Sequence, residues 1–204
     1  MEDVPSSPVQ ARRRRGRDRA RTEADLLDAT YDLLQRDGIF AGLNLQEVAE
    51  RASVNRGQIY QLFGDRRSLL RAAVTHRARE WTARAKGHWE SAFAQRRRSM
   101  FRDALQNPGV STIEALLAID RDPEYHALPE ITRTRVALTR DQESGALPPD
   151  ADAEALHAFT VAATKGYVLF RESLARDLGV PVEDLDTRVQ AVYDRMIDDM
   201  VQPR

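Results

Sequence analysis

From Leu26 onward, apolar residues recur at every third or fourth position, and no stretch alternates apolar and polar residues as a half-buried strand would. That rhythm restricts the chain to an all-α fold. With 204 residues there is length for one or two domains with real cores. The longest uninterrupted apolar run, Ala115 to Ile119, is far below the ~20 residues of a membrane-spanning helix. No apolar leader precedes the first helical segment, so the chain reads as soluble, untargeted and cytoplasmic. Cys is absent, which removes disulfides, Cys-ligated zinc, iron–sulfur clusters and thiol nucleophiles.

Punctuation places the helices. Thr22 is a candidate N-cap for a first helix carrying Leu26, Leu27, Thr30, Tyr31, Leu33 and Leu34, with Gly38 as its stop. Asn44 and Glu47 form a capping-box pattern for a short second helix, and Ser53-Val54 makes a tight turn. Asn55 and Gln58 repeat the pattern for a third helix, whose Ile59, Leu62 and Phe63 point inward, and Gly64-Asp65 ends it. A long fourth helix is expected from Asp65 through Val74, Trp81 and Trp89 to Phe93, with Gly87 as a weak point, ending at the polar run from Gln95 to Ser99. Further helices are expected over 111–119, over 123–143 with a break at Pro129, over 152–178 and over 183–201.

Three short helices with a tight turn between the second and third outline a helix-turn-helix, whose second member puts its N-terminal residues into the major groove. Small, polar or basic side chains belong there, and the chain supplies Asn55, Arg56, Gly57, Gln58, Tyr60 and Gln61. Arg56 suits guanine or phosphate, Gln58 suits adenine, Gly57 permits close backbone approach, and the Tyr60 hydroxyl suits phosphate. Each has a plainer reading as a helix cap, a solvated charge or a packing residue.

Residues Asp25 to Val74, and above all LLDATYDLLQRDG, LQEVAERASVNRGQIYQLF and DRRSLLRAAV, resemble the DNA-binding domain of the TetR (tetracycline repressor) family. Five positions depart from its pattern. Ser53 stands where the family usually has a turn Gly, Asn44 where it has Thr, and Leu62 where it commonly has His; Arg66 and Arg67 occupy the usual Lys and acidic positions. Asn44 can still cap and touch phosphate, and Arg66 keeps the cation at the start of the fourth helix. The resemblance implies a double-stranded DNA operator, a small-molecule effector bound by the second domain, and a homodimer formed by the last two helices.

Charge by region agrees with that polarity. The chain totals 31 Lys+Arg against 32 Asp+Glu, which argues against nucleic acid until it is divided. Residues 10–21 hold seven Arg against Asp18, a net of +6, whereas residues 141–204 carry a net of -7, six basic against thirteen acidic. The expected organisation is a disordered basic arm over 1–20, a helix-turn-helix domain over 21–67, and a helical effector-binding and dimerisation domain over 68–204. Arg15 and Arg17 of the arm either enter a minor groove or neutralise phosphates without base preference.

The second domain offers Trp81, Trp89, Phe93, Phe101, Tyr125, Phe159 and Tyr167 as candidate effector-cavity residues, each equally at home in a core. Ala162, Gly166, Phe170, Val189, Val192, Tyr193, Met196 and Met200 are candidates for the dimer interface. No metal or cofactor is implied: Asp120, Asp122 and Glu124 have calcium-loop spacing, but Tyr125 replaces the obligatory Gly and Ile131 the closing Glu. The leading expectation is a homodimeric, ligand-released repressor and not an enzyme. Two rivals are a DNA-binding regulator with no small-molecule effector, controlled by a protein partner or acting architecturally, and a helical enzyme or carrier with an incidental helix-turn-helix.

Overall fold

The computed structural model describes residues 8–37, 43–84 and 87–202, and for residues 8–17, 35, 37, 78–79 and 81–84 the backbone alone. Among the described residues every regular element is a helix: α1 (Pro8–Asp37), α2 (Leu45–Arg51), α3 (Arg56–Phe63), α4 (Arg66–Arg84), α5 (Phe93–Gln106), α6 (Pro108–Ile119), α7 (Ile131–Glu143), α8 (Ala153–Leu178) and α9 (Val182–Val201). The chain divides into two compact units, one ending at Glu80 and the other starting at Trp81. This boundary falls inside α4, not at 67/68, because Leu69, Leu70 and Ala73 are buried within the first unit.

In the first unit α2 packs against α1 and α3 around Leu26, Leu33, Val48 and Ile59. Ion pairs fasten its perimeter: Arg36 to Glu47 at 2.6 Å, Arg51 to Asp32 at 3.1 Å and Arg77 to Asp28 at 3.2 Å. Partly exposed pairs of this kind set geometry more than stability. Because Glu47 is held by Arg36, it does not complete a capping box; Asn44 caps α2 by accepting from the Gln46 amide at 3.0 Å. The α1 helix starts at Pro8, well before Thr22, where a disordered arm was expected. Arg, Gln and Ala are good helix formers, and Gly16 is too mild an interruption to separate the arm from the helix it feeds. The side chains of Arg15, Arg17 and Trp81 lie outside the described residues, as does Gly38.

In the second unit α5 is central, packing against α6, α7, α8 and α9. Phe93, Phe101, Leu138, Leu147, Tyr193 and Ile197 form its core. The expected long fourth helix is two helices. Gly87, at φ 77, takes a backbone conformation that other residues adopt only with strain, and the chain turns there before α5 begins at Phe93. The helix expected from Pro123 begins instead at Ile131, since Pro129 disfavours helical backbone at Leu128 and has no N–H to donate. The α6 helix starts earlier than expected, with Pro108 at its first position.

Candidate functional site

The turn between α2 and α3 closes with two backbone bonds, from the Ser53 amide to the Glu50 carbonyl and from the Val54 amide to the Ala49 carbonyl, both at 2.9 Å. This is the Schellman pattern, which needs a left-handed residue, and Ser53 supplies it at φ 57. A side chain in that conformation costs about 1 kcal/mol relative to Gly. Ser53→Gly is therefore expected to stabilise the first unit by about 1 kcal/mol, read as a higher denaturation midpoint of the full chain; a lower midpoint would contradict the assigned turn.

At the start of α3 the capping box is complete. Asn55 Oδ1 accepts from the Gln58 amide at 3.1 Å, and Gln58 Oε1 accepts from the Asn55 amide at 3.3 Å. Both side chains therefore have structural work. A bidentate grip of Gln58 on adenine would recruit the oxygen that closes the box. Gly57 sits inside this arrangement: a Cβ there would lie 3.0 Å from Asn55 Oδ1. A side chain there would crowd the cap, so Asn55 would have to shift by a few tenths of an ångström.

One turn further on, Arg56 donates from Nη2 to the Tyr60 hydroxyl at 3.0 Å, its guanidinium carbon 5.7 Å from the ring centroid. An i, i+4 contact of this kind holds a long cation in one place before it meets anything. Asn55, Arg56, Gly57, Tyr60 and Gln61 are all exposed, and Ile59, beneath them, is fully buried. At the N-terminus of α4 Asp65 accepts from the Ser68 amide at 2.7 Å, and that bond holds its carboxyl below the usual range. Arg66 and Arg67 stand exposed beside it.

Residues 26–73 match the family described as bacterial regulatory proteins, tetR family. The HTH-type transcriptional regulator BetI of Paraburkholderia phytofirmans is 41% identical over 61 residues, which cover 29% of this chain and 31% of that protein. BetI of Burkholderia thailandensis is 36% identical over 76 residues, covering 37% of this chain and 38% of that protein. Residues 26–73 are thus similar to the tetR-family DNA-binding segment. The tetR-family match ends before α5, and the chain aligns with well under half the length of these relatives.

Beyond that tetR-family segment, the aromatic residues separate by environment. Phe93 and Phe101 are fully buried, and Phe101 stacks on Tyr193 at 4.4 Å between centroids and on Tyr167 at 5.8 Å. These two are core residues. Tyr167 spans α8 and α9, donating to Asp186 Oδ1 at 2.7 Å. Tyr125 accepts from Lys165 at 3.5 Å, and Phe159 projects outward, 55% exposed. Trp89 is half-buried under Arg133, 5.0 Å from the ring centroid, with Nε1 buried and unpartnered. A cleft of about 750 Å³ opens instead along α7 and the start of α8, with Leu128, Ile131, Leu138, His157 and Ala158 among its walls. None of the seven candidate aromatics lines it.

The sequence reading missed the buried charges of α5. Arg96 and Arg97, assigned to a polar run that ends a helix, are buried near its start. The available signal was spacing: Arg97 follows Phe93 by four positions and precedes Phe101 by four, so it shares their inward stripe. Arg96 pairs with Asp141 at 2.7 Å, and Arg97 lies 3.3 Å from His157 Nδ1. Burial first, then Arg97 and Arg96, lowers both His88 and His157 from 6.5 to about 4; Arg133 adds to this at His88 and Glu90 opposes it. Both imidazoles are thus neutral in the fold, and unfolding lets them take up protons. Stability conferred by these groups is complete above pH 6.5 and is lost as pH falls towards 4. Denaturant midpoints should fall between pH 7 and pH 5 by more in the native chain than in His157→Gln; equal falls would contradict a neutral His157.

The α8 helix is apolar on two sides. Leu156, Tyr167 and Val168 face the core, while Phe159, Ala162, Phe170, Leu174 and Leu178 are exposed on the other side. A Cβ built on half-buried Gly166 would meet nothing within 4 Å. On α9 the interface candidates divide. Val192 is exposed, but Tyr193 is buried, and Val189, Met196 and Met200 pack against the core of their own unit. Their stripe is used internally because α9 covers α5 and the inner face of α8. Among the described residues no group of three His, Cys, Asp or Glu could hold a metal ion, and no helix is long and apolar enough to cross a membrane.

Proposed function

We propose that this chain is a cytoplasmic, homodimeric transcriptional regulator, a repressor that binds a near-palindromic DNA operator and is released by a small apolar or amphipathic effector. The observation that carries the DNA-binding reading is the exposed cluster of Asn55, Arg56, Gly57, Tyr60 and Gln61, set on a helix whose first turn is locked by its own capping box. Such a rigid edge is what major-groove readout requires. The printed names of the BetI relatives, HTH-type transcriptional regulators, support the same reading.

Dimerisation is supported by the exposed side of α8, where Phe159, Phe170, Leu174 and Leu178 are unburied and Gly166 permits close approach. A twofold pair seats two recognition helices about 34–36 Å apart, one duplex turn. An effector is supported by the cleft along α7 and α8. Release follows if the ligand prefers a dimer whose recognition helices stand at the wrong spacing; a tenfold loss of affinity needs only ~1.4 kcal/mol of preference.

The experiment has two stages. Duplexes are selected from a random pool by the full-length chain, and the winning duplex is then challenged with amphiphiles while its binding is followed by fluorescence anisotropy. Selection without release by any amphiphile would favour a regulator controlled by a protein partner, and no selection at all would favour an enzyme or carrier.

A further inference from the structure

Two guanidiniums are buried near the start of α5, and a buried carboxylate pairs with one of them. Arg96 and Arg97, consecutive on α5, are each 5% exposed. Arg96 is paired with Asp141, whose other oxygen accepts from Arg140 at 2.8 Å. Among the described residues Arg97 forms no ion pair with a carboxylate, and the neighbouring Arg96 charge opposes it. Its hydrogen-bonding neighbour is His157 Nδ1, at 3.3 Å. A guanidinium is donor-only, so Nδ1 must be the acceptor and the imidazole proton must sit on Nε2, on the far side of the ring.

His157 is also a wall of the cleft, beside Leu128, Ile131, Leu138 and Ala158. The cleft's two carboxylates are already committed: Asp152 accepts from the Ala155 amide at 2.9 Å, and Glu154 pairs with Arg135 at 2.9 Å. An imidazole N–H backed by a buried cation with no carboxylate partner, in a cleft that Leu128, Ile131, Leu138 and Ala158 line together with Arg135, Thr139 and Gln142, suits a negative charge with an apolar body. A lone buried charge is expensive to keep unless something neutralises it.

We propose that the effector is an amphipathic monocarboxylate, whose head accepts from His157 Nε2 with Arg97 directly behind the ring and whose apolar body lies along Leu128, Ile131, Leu138 and Ala158. This rests on the effector reading above and specifies its chemistry. One guanidinium without a carboxylate partner behind the ring suits a monoanion. A cationic amphiphile would meet Arg97 and Arg96 as like charges, and a neutral one would leave Arg97 unanswered.

The test is calorimetry on the full-length chain with straight-chain carboxylates from acetate to dodecanoate, with the matching primary amides and with the matching trimethylammonium salts. Affinity is expected to rise with chain length for the carboxylates and to fall at least about tenfold for the amide or the ammonium of the same length. Arg97→Met should remove the preference for carboxylate while the unliganded protein unfolds at the same or a higher temperature, because the substitution relieves an unpaired buried charge. A purely structural Arg97 would instead lower that temperature and leave the preference intact. Should Arg97→Met not fold, His157→Phe tests the same preference from the cleft side. Amides or ammonium salts binding as well as carboxylates, or no carboxylate binding, would overturn the proposal. Release of the selected duplex by neutral or cationic amphiphiles alone would overturn the anion site and leave the effector reading standing; carboxylates that bind without releasing DNA would uphold the site and overturn the release.

Discussion

Arg56→Ala is expected to weaken binding of the selected duplex by about 1–3 kcal/mol in each half-site. In a symmetric dimer both half-sites lose the contact, so the fall is roughly 30-fold at the least. The effect should be large because Arg56 is placed in advance, held by Tyr60 at 3.0 Å on a helix start that its capping box makes rigid. The pattern of the loss identifies the contact. If Arg56 grips guanine, the loss is confined to duplexes carrying that base, and Arg56→Lys does not restore it, because a point charge lacks the planar fork. If it grips phosphate, affinity falls uniformly across sequences and the salt dependence becomes shallower. Tyr60→Phe removes the hydroxyl that positions Arg56 and should cost about 1 kcal/mol per half-site. Titrations of both variants against the selected duplex and a scrambled one, at two salt concentrations, separate these outcomes. Wild-type affinity in Arg56→Ala would remove α3 from the interface.

Phe170→Glu is expected to leave the chain monomeric. Phe170 is 62% exposed within its own subunit, so the substitution disturbs little packing there, and the far-UV circular dichroism should not change. In a twofold dimer it acts twice, removing about 2 kcal/mol of apolar burial per copy and facing two carboxylates across one seam. The dimer dissociation constant should therefore rise roughly a thousandfold or more. Sedimentation equilibrium reads this directly, and operator affinity should fall with it because each half-site must then bind alone. A variant that remains dimeric would move the interface off the outer side of α8.

What was legible in the sequence was what short-range chemistry determines. The start of α3 could be read because Asn55 and Gln58 close a box within four residues, and the turn could be read from Ser53-Val54, although only the fold reveals that Ser53 bears the left-handed conformation. The failures came where periodicity carries no direction. Phe93 continued the phase of Trp81 and Trp89 across Gly87, so two helices read as one. Arg97 lies on the stripe of Phe93 and Phe101 but inside the polar run from Gln95 to Ser99, and the stripe position buries it. The same ambiguity applies to α9, where Tyr193 is buried within its own unit and Met196 and Met200 are partly buried against its core. An apolar stripe on α9 states that it needs cover, and α5 provides that cover within the unit, leaving the outer side of α8 as the unsatisfied surface.

The central claim is that this chain reads DNA as a twofold dimer through the start of α3. Selection from a random duplex pool by the full-length chain, followed by hydroxyl-radical footprinting of the winner, tests it most directly. The account predicts an inverted repeat with two protected half-sites on one face of the duplex, centred about 34–36 Å apart, and loss of both protections in Arg56→Ala. A pool that shows no sequence enrichment, or protections that persist unchanged in Arg56→Ala, would contradict it.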